Sequence, residues 1–414
     1  MNSTFEKFTD RLTEIGNKMA AEKHLAAVTR GMMAIMPLTV FGSIFQLIAA
    51  LPDIFPFVPA YSEATSAAIL LPYNVTFAIF GIVASFAIAY HLASSYKLNQ
   101  LTSGVTAMLT FFVIAGGYDA AAGTFSTAFL GAAGLFVAIA VGLISVEVTR
   151  FLDTHNIKLQ FPDSIPPYVA TSFNAIISLT VNVLIGYGIE LLCEKSAGVC
   201  LPALIQQLLA PALTASESIW FTVIVQGLIA LLSCLGVHGF NTLAGIILPL
   251  AIANTGANAA AFQAGEKATQ LFTLSSFQMT GCFYWIIPVM MLACKSERLK
   301  TVGKLSLVPA IFNISEPIQF GAPLVFNPLM AIPFILMNMV NAAIVWLSMY
   351  LNLCSKTVMM VSANIPMPIF QYLVTLDFRS ILVFAVMVVA SYLIYKPFMA
   401  AYDKNLLAEE AEGK

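Results

Sequence analysis

Charge is the first shortage in this chain. Of 414 residues only 10% are Asp, Glu, Lys or Arg, against roughly 25% in ordinary soluble domains. The 19 basic and 21 acidic residues are too few to coat a soluble protein of this size, and 59% of the chain is hydrophobic. Mean hydropathy is accordingly high, at +0.87. A net charge of −2 offers no basic field to nucleic acid. Disordered, ordinary cytosolic and nucleic-acid-binding classes are thereby excluded, and a polytopic membrane protein remains. Motifs are missing too. Neither G-x-x-x-x-G-K-[ST] nor G-x-G-x-x-G occurs, which argues against ATP or dinucleotide chemistry within the chain. The 6 cysteines show no C-x-x-C spacing and the 4 histidines no H-E-x-x-H, so no metal or other cofactor is expected. Cys193 and Cys200 flank a loop expected outside the cell, where a disulfide would persist.

What is present is a series of apolar runs near the 17 to 25 residues, roughly, that cross a bilayer as helix. They cover Gly31 to Leu51, Ile69 to Leu92, Leu101 to Gly117, Phe129 to Val146, Val169 to Ile189, Ile219 to Val237, Phe240 to Ala257, Phe277 to Cys294, Pro323 to Leu353 and Ile381 to Tyr395. The expected fold is an all-α membrane protein of about ten transmembrane helices. With the N-terminus inside, fifteen basic residues fall on the cytoplasmic side, and only Lys195, Lys267, Lys356 and Arg379 fall outside. That bias follows the positive-inside rule and makes both termini cytoplasmic. Residues 1–30 read as a cytoplasmic amphipathic segment, with Phe5, Phe8, Leu12, Ile15 and Met19 on one helical face. A regular transmembrane half follows over 31–195, then a second half over 196–398 and a cytoplasmic tail over 399–414. Glu147, Arg150 and Glu190 fall at span ends and read as interfacial anchors, and His24, His91 and His155 read as solvated.

The stretch from Gly236 to Pro333 is crowded with Gly, Pro and Asn. Irregular backbone at membrane depth survives only where protein buries it or a wet cavity is lined by it, and interrupted segments mark transporter binding sites. Two segments stand out: Leu235-Gly236-Val237-His238-Gly239-Phe240-Asn241 and Phe312-Asn313-Ile314-Ser315-Glu316-Pro317-Ile318-Gln319-Phe320-Gly321. Each sets one ionisable residue in an apolar region, where a charge costs on the order of 2.5 to 3.5 kcal/mol and therefore faces a cavity or a partner. His238 and Glu316 are the candidates for chemistry. The competing structural roles are a helix cap for Glu316 and a packed imidazole for His238. Around them the polar set is mainly amides and hydroxyls: Asn241, Thr242, Asn254, Asn258, Asn313, Ser315, Gln319 and Asn327. Neutral hydrogen-bonding groups suit an uncharged polyhydroxylated ligand such as a sugar, although such residues also join transmembrane helices. Phe240, Tyr284, Trp285 and Phe320 are rings that could stack on a sugar.

The N-x-S-E-P-I-x-F-G-x-P pattern of Asn313 to Pro323, the G-V-H-G of Gly236 to Gly239, Met36-Pro37-Leu38-Thr39, and the run Tyr395 to Lys404 together resemble one family nearly end to end. It is the membrane-embedded enzyme IIC component of the bacterial phosphoenolpyruvate-dependent sugar phosphotransferase system, in its lactose, cellobiose and N,N'-diacetylchitobiose branch. The resemblance implies a homodimer in the cell membrane whose first half forms the dimer contact. It also implies a second half with two re-entrant hairpins that enclose the sugar. His238 and Glu316 would lie beside the hydroxyl to be phosphorylated, and a separate IIB protein bearing a phosphocysteine would be the donor. The chain departs from the family at Leu232-Ser233-Cys234-Leu235, where many members carry aromatic residues. A second departure is Ala363-Asn364-Ile365-Pro366-Met367-Pro368, in place of a Trp-Thr-Thr-Pro-like stretch. These differences leave open which sugar is carried. Substrate binding is expected from His238, Glu316, Asn241, Asn313, Ser315, Gln319 and Phe240. A proton-coupled secondary sugar transporter is the alternative, since intramembrane carboxylate and imidazole pairs also relay protons.

Overall fold

The computed structural model describes residues 11, 13–19, 21–54, 57–119, 121–160, 162, 167–281, 285–315, 317–318, 324 and 327–412. These are almost wholly helical, with one two-stranded hairpin, β1 (Tyr118–Asp119) paired antiparallel with β2 (Thr124–Phe125). The helices are α1 (Lys23–Ala49), α2 (Leu51–Ile54), α3 (Glu63–Asn74), α4 (Phe80–Ser95), α5 (Gln100–Ala115), α6 (Leu135–Thr154), α7 (Pro167–Ala197) and α8 (Leu201–Ser216). They continue as α9 (Ile219–Cys234), α10 (Gly239–Gln263), α11 (Leu274–Met279), α12 (Ile286–Ala293), α13 (Glu297–Ile311), α14 (Pro328–Tyr350), α15 (Met367–Thr375) and α16 (Arg379–Glu412). Seven helical stretches among the described residues are long and apolar enough to cross a membrane, and α8 with α9, bent by 75° at their junction, make an eighth if taken as one span. The run Leu101 to Gly117 forms the shorter helix α5, and the run Phe277 to Cys294 is divided between α11 and α12. Residues 13–19 are helical, with Ile15 exposed and Met19 half-buried, while Phe5, Phe8 and Leu12 lie outside the described residues.

Two compact units make up the chain. The first comprises residues 21–212 and 245–256, with α4 at its centre. Phe80, Ala84, Ile88 and Leu92 of α4 are fully buried, and α1, α5 and α6 pack around it through small residues. A Cβ at Gly31 would lie 2.8 Å from the Ile88 backbone, and one at Gly104 would lie 2.7 Å from Phe86. Small residues let helix backbones approach where lipid supplies no hydrophobic drive. His24, expected in solvent, instead bridges Glu22 at 2.8 Å and Glu147 at 3.0 Å. Glu190, expected at an interface, is buried and accepts the N–H of Leu201 at 2.9 Å. Cys193 and Cys200 both carry free thiols.

The second unit comprises residues 1–20, 213–244 and 257–414. Its core is rich in methionine, with Met290, Met291, Met330, Met337 and Met399 packed around Phe334 and Tyr395. Met fills irregular gaps, which suits a unit that packs the short helices α11, α12 and α15 with the long α14 and α16. The extended chain around residues 269–273 and 354–360 is held by side chains. Asn258, fully buried, donates Nδ2 to the carbonyls of Gln270 (2.8 Å) and Thr357 (2.9 Å), and its Oδ1 accepts from the N–H groups of Thr269 (3.1 Å) and Gln270 (2.8 Å). At the bend between α8 and α9, the Glu217 carboxylate accepts the N–H groups of Leu271 and Phe272, and Trp346 Nε1 donates to its carbonyl at 2.7 Å. Between α15 and α16, Asp377 accepts from the Ser355 N–H (2.8 Å) and hydroxyl (2.9 Å) and from the Arg379 guanidinium.

Replacing Asn258 with Ala removes the partner of four backbone groups, of which the Thr357 carbonyl is in a buried bond, so Asn258→Ala is expected to cost about 1–3 kcal/mol, read as a lower thermal midpoint in detergent. Burial raises the Asp377 pKa, but the bonds from Arg379 and Ser355 outweigh it and hold the carboxyl at about 2. A depressed pKa means stabilisation that is present above the ordinary carboxylate range and lost as pH falls through the folded value. Amide-exchange protection of Ser355 should therefore persist at about pH 3 and vanish near pH 2, and Asp377→Asn should weaken it throughout the range above that.

Candidate functional site

The second unit contains a cavity of about 330 Å³. Its walls come from α9 (Gln226, Ile229, Ala230, Ser233), the turn into α10 (Gly236, Val237, His238, Phe240), the α11 region (Phe277, Gln278, Thr280, Gly281), the segment after α13 (Asn313, Ser315), α14 (Phe334, Asn338), and Ala363 and Met367.

His238 reaches this cavity because two glycines reverse the chain there. Gly236 ends α9 at φ 80, a left-handed conformation natural to glycine. A Cβ at Gly239 would meet the Ile229 carbonyl oxygen at 2.1 Å, so only glycine fits. His238 then becomes the N-cap of α10, its Nδ1 accepting the Asn241 N–H at 3.3 Å. An accepting Nδ1 carries no proton, so the neutral ring holds its proton on Nε2 as a donor. Nε2 has no partner among the described residues, and the residue is exposed to the cavity.

Asn313 arrives by a Schellman ending of α13. The Asn313 N–H bonds the Ala310 carbonyl, and the Ile314 N–H bonds the Pro309 carbonyl, both at 3.0 Å. Asn313 takes φ 59 at the left-handed position, where Asn substitutes for Gly. Its Nδ2 donates to the carbonyls of Ala363 (2.6 Å) and Ile365 (2.7 Å), which fastens the 363–365 loop as a cavity wall. Its Oδ1 is buried with no partner among the described residues, and so is Gln278 Oε1. An unpaired buried acceptor costs roughly 1–3 kcal/mol. Both acceptors belong to side chains that line one cavity. Phe240 and Phe277 lie against each other with centroids 5.8 Å apart and give the cavity an aromatic side.

Of the residues expected at the site, His238, Phe240, Asn313 and Ser315 line this one cavity. Asn241 does not line it and acts through its N–H on the His238 ring. Glu316 and Gln319 lie outside the described residues, although Ser315 places the chain at the cavity just before Glu316. Among the other amides, Asn258 is the fully bonded clamp and Asn327 is the N-cap of α14, accepting the Leu329 N–H at 3.1 Å. Gln226, Gln278 and Asn338 were not anticipated. Only Gln226 carries a signal, as the one amide in the apolar α9 run Ile219–Cys234. Gln226 is anchored, its Nε2 donating to the Phe277 carbonyl (3.1 Å) and Thr280 Oγ1 (2.8 Å).

Comparison with known proteins bears on what this cavity holds. The sequence profile of the family described as "Phosphotransferase system, EIIC" matches residues 29–337. The lichenan permease IIC component of Bacillus subtilis (strain 168) is 31% identical, with 99% of this chain and 96% of that protein covered. The PTS system lactose-specific EIICB component of Streptococcus mutans is 33% identical over 96% of this chain and 72% of its own length. Among solved structures, ChbC, the IIC component of an N,N'-diacetylchitobiose-specific phosphotransferase system, superposes with a TM-score of 0.89 at 30% identity, covering 96% of this chain and 98% of that one. The chain belongs to the phosphotransferase system EIIC family.

The Asn313 geometry yields an ordering of variants. Both Asn313→Gly and Asn313→Ala lose the bonds to Ala363 and Ile365. Only Ala adds the cost of a left-handed Cβ, about 1 kcal/mol, so the Gly variant should unfold at the higher temperature in a thermal melt.

Proposed function

We propose that this EIIC-family chain carries a β-linked disaccharide of the cellobiose or diacetylchitobiose class across the membrane and presents its 6-hydroxyl to a phosphorylated IIB protein on a separate chain. A phosphotransferase system IIC component is a multi-pass membrane sugar permease that works with a IIB partner. The observation that carries the sugar reading is the neutral, hydrogen-bonding character of the cavity. Among the described residues no carboxylate, lysine or arginine lines it, and it offers two partnerless acceptors and one free donor. A sugar hydroxyl both donates and accepts, so adjacent hydroxyls satisfy Asn313 Oδ1, Gln278 Oε1 and His238 Nε2 together. The volume falls at the lower end of the roughly 300–1,000 Å³ usual for small-molecule sites. Lichenan, lactose and N,N'-diacetylchitobiose, the sugars named for the relatives, share a β-linkage, which supports that substrate class.

In the proposed reaction the S–P bond of the IIB phosphocysteine breaks and an O6–P bond forms. The hydroxyl proton passes to Glu316, which orients O6, while His238 holds the same end of the sugar. Phosphoryl transfer runs through a loose transition state, so positioning counts for more than base strength. We assign dimer contact to residues 31–195 and sugar binding and transport to 196–398, with both termini cytoplasmic. The short helices α11 and α12 and the break before Pro317 support reading two re-entrant hairpins among about ten crossings. The proton-coupled alternative requires no IIB. The family match and the EIICB relative favour group translocation over it.

Vesicles containing the protein, loaded with phosphoenolpyruvate, the general phosphotransferase proteins and a IIA/IIB pair, should accumulate phosphorylated cellobiose or diacetylchitobiose only when IIB is present. Free sugar accumulating without IIB would overturn the proposal. Glu316→Gln should slow phosphorylation about 100-fold or more, and His238→Ala should weaken sugar binding about tenfold.

A further inference from the structure

A second polar cavity lies in the first unit, apart from the sugar site. It measures about 290 Å³, roughly ten times the share of one water. Lys97, Thr102, Ser103, Asp153, Lys158 and Asn174 are among its lining residues. It gathers the turn between α4 and α5, the first turns of α5, the end of α6 and a stretch of α7.

Three features point to an anionic ligand. Ser103 lines the cavity and is 3% exposed, and its buried hydroxyl has no hydrogen-bond partner among the described residues. Buried hydroxyls are normally bonded, so this one awaits a group that is not protein. Lys97 and Lys158 are exposed at the same cavity, and neither joins an ion pair among the described residues. The N-terminus of α5 also opens here, capped by Asn99, whose Oδ1 accepts the Thr102 N–H at 3.1 Å. A helix start adds partial positive charge that favours phosphate. Asp153 is the opposing charge and suits a hydroxyl donor. Phosphate beside hydroxyl groups is the chemistry that fits all of these groups.

Depth identifies the source. The candidate spans Phe77–Ser95 and Ala132–Thr154 end just before Lys97 and Lys158, which sets the cavity at the level of lipid headgroups. We infer that this cavity binds a glycerophosphate group, presented as the headgroup of an anionic phospholipid of the phosphatidylglycerol type. Lys97 and Lys158 hold the phosphate, Ser103 donates to it, and Asp153 accepts from a headgroup hydroxyl.

The test titrates the purified full-length protein in neutral detergent with short-chain phosphatidylglycerol, short-chain phosphatidylcholine and glycerol 3-phosphate, following the thermal midpoint. Phosphatidylglycerol should bind about tenfold or more tighter than phosphatidylcholine, and a Lys97→Gln/Lys158→Gln double variant should lose about tenfold or more of that affinity. Ser103→Ala should weaken binding severalfold while leaving the ligand-free midpoint unchanged or higher, because removing an unpaired buried hydroxyl costs no bond. This separates a binding role from a folding defect. Glycerol 3-phosphate binding as tightly as the lipid would support the phosphate site but overturn the lipid as its source. Equal binding of the two lipids, or wild-type binding by both variants, would overturn the site.

Discussion

Backbone that leaves the helix in an apolar surround has no water to bond, and each unpaired N–H or C=O there costs on the order of several kcal/mol. The second unit depends on meeting that constraint. Its chain breaks at the α8–α9 bend, at Gly236, after α13 and along 353–366, and buried polar side chains supply the missing bonds. Glu217 takes the N–H groups of Leu271 and Phe272, Asn258 binds four backbone groups, and Asn313 ties down the carbonyls of Ala363 and Ile365. Of these clamps, the one at Asn313 borders the cavity, with Ala363 as part of its wall. The residues that support the scaffold and those that line the cavity are thus of the same types, and in Asn313 one side chain does both.

That overlap explains how much the sequence reveals. Long apolar runs show the membrane class directly, since a bilayer needs lengths that few soluble helices reach. The cluster of Gly, Pro and Asn after Gly236 shows where helices break, whereas the tight reversal at His238, with Gly236 at φ 80 and no room for a Cβ at Gly239, is visible only in the structure. Asn258 and Asn313 look alike in sequence, yet one has all its bonds filled within the protein and the other leaves Oδ1 bare. Only the partners in space distinguish them. Gln226 was illegible for a related reason: a lone amide in an apolar helix such as α9 equally well joins two helices.

The first unit follows a different economy. Its helices meet through Gly31, Gly104 and Gly142, and α4 is buried along most of its length. Such close packing leaves little room for rearrangement. A unit of short helices joined by hydrogen-bonded clamps, with a core of flexible methionines, accommodates change more readily.

The central claim is that the Asn313, Gln278 and His238 cavity receives an uncharged sugar through neutral hydrogen bonds. It is tested most directly by an experimental structure of the protein with cellobiose or N,N'-diacetylchitobiose bound. The account predicts sugar hydroxyls within hydrogen-bond distance of Asn313 Oδ1, Gln278 Oε1 and His238 Nε2, with the 6-hydroxyl nearest Glu316. A sugar seated elsewhere, with those three atoms still unpaired, would contradict it.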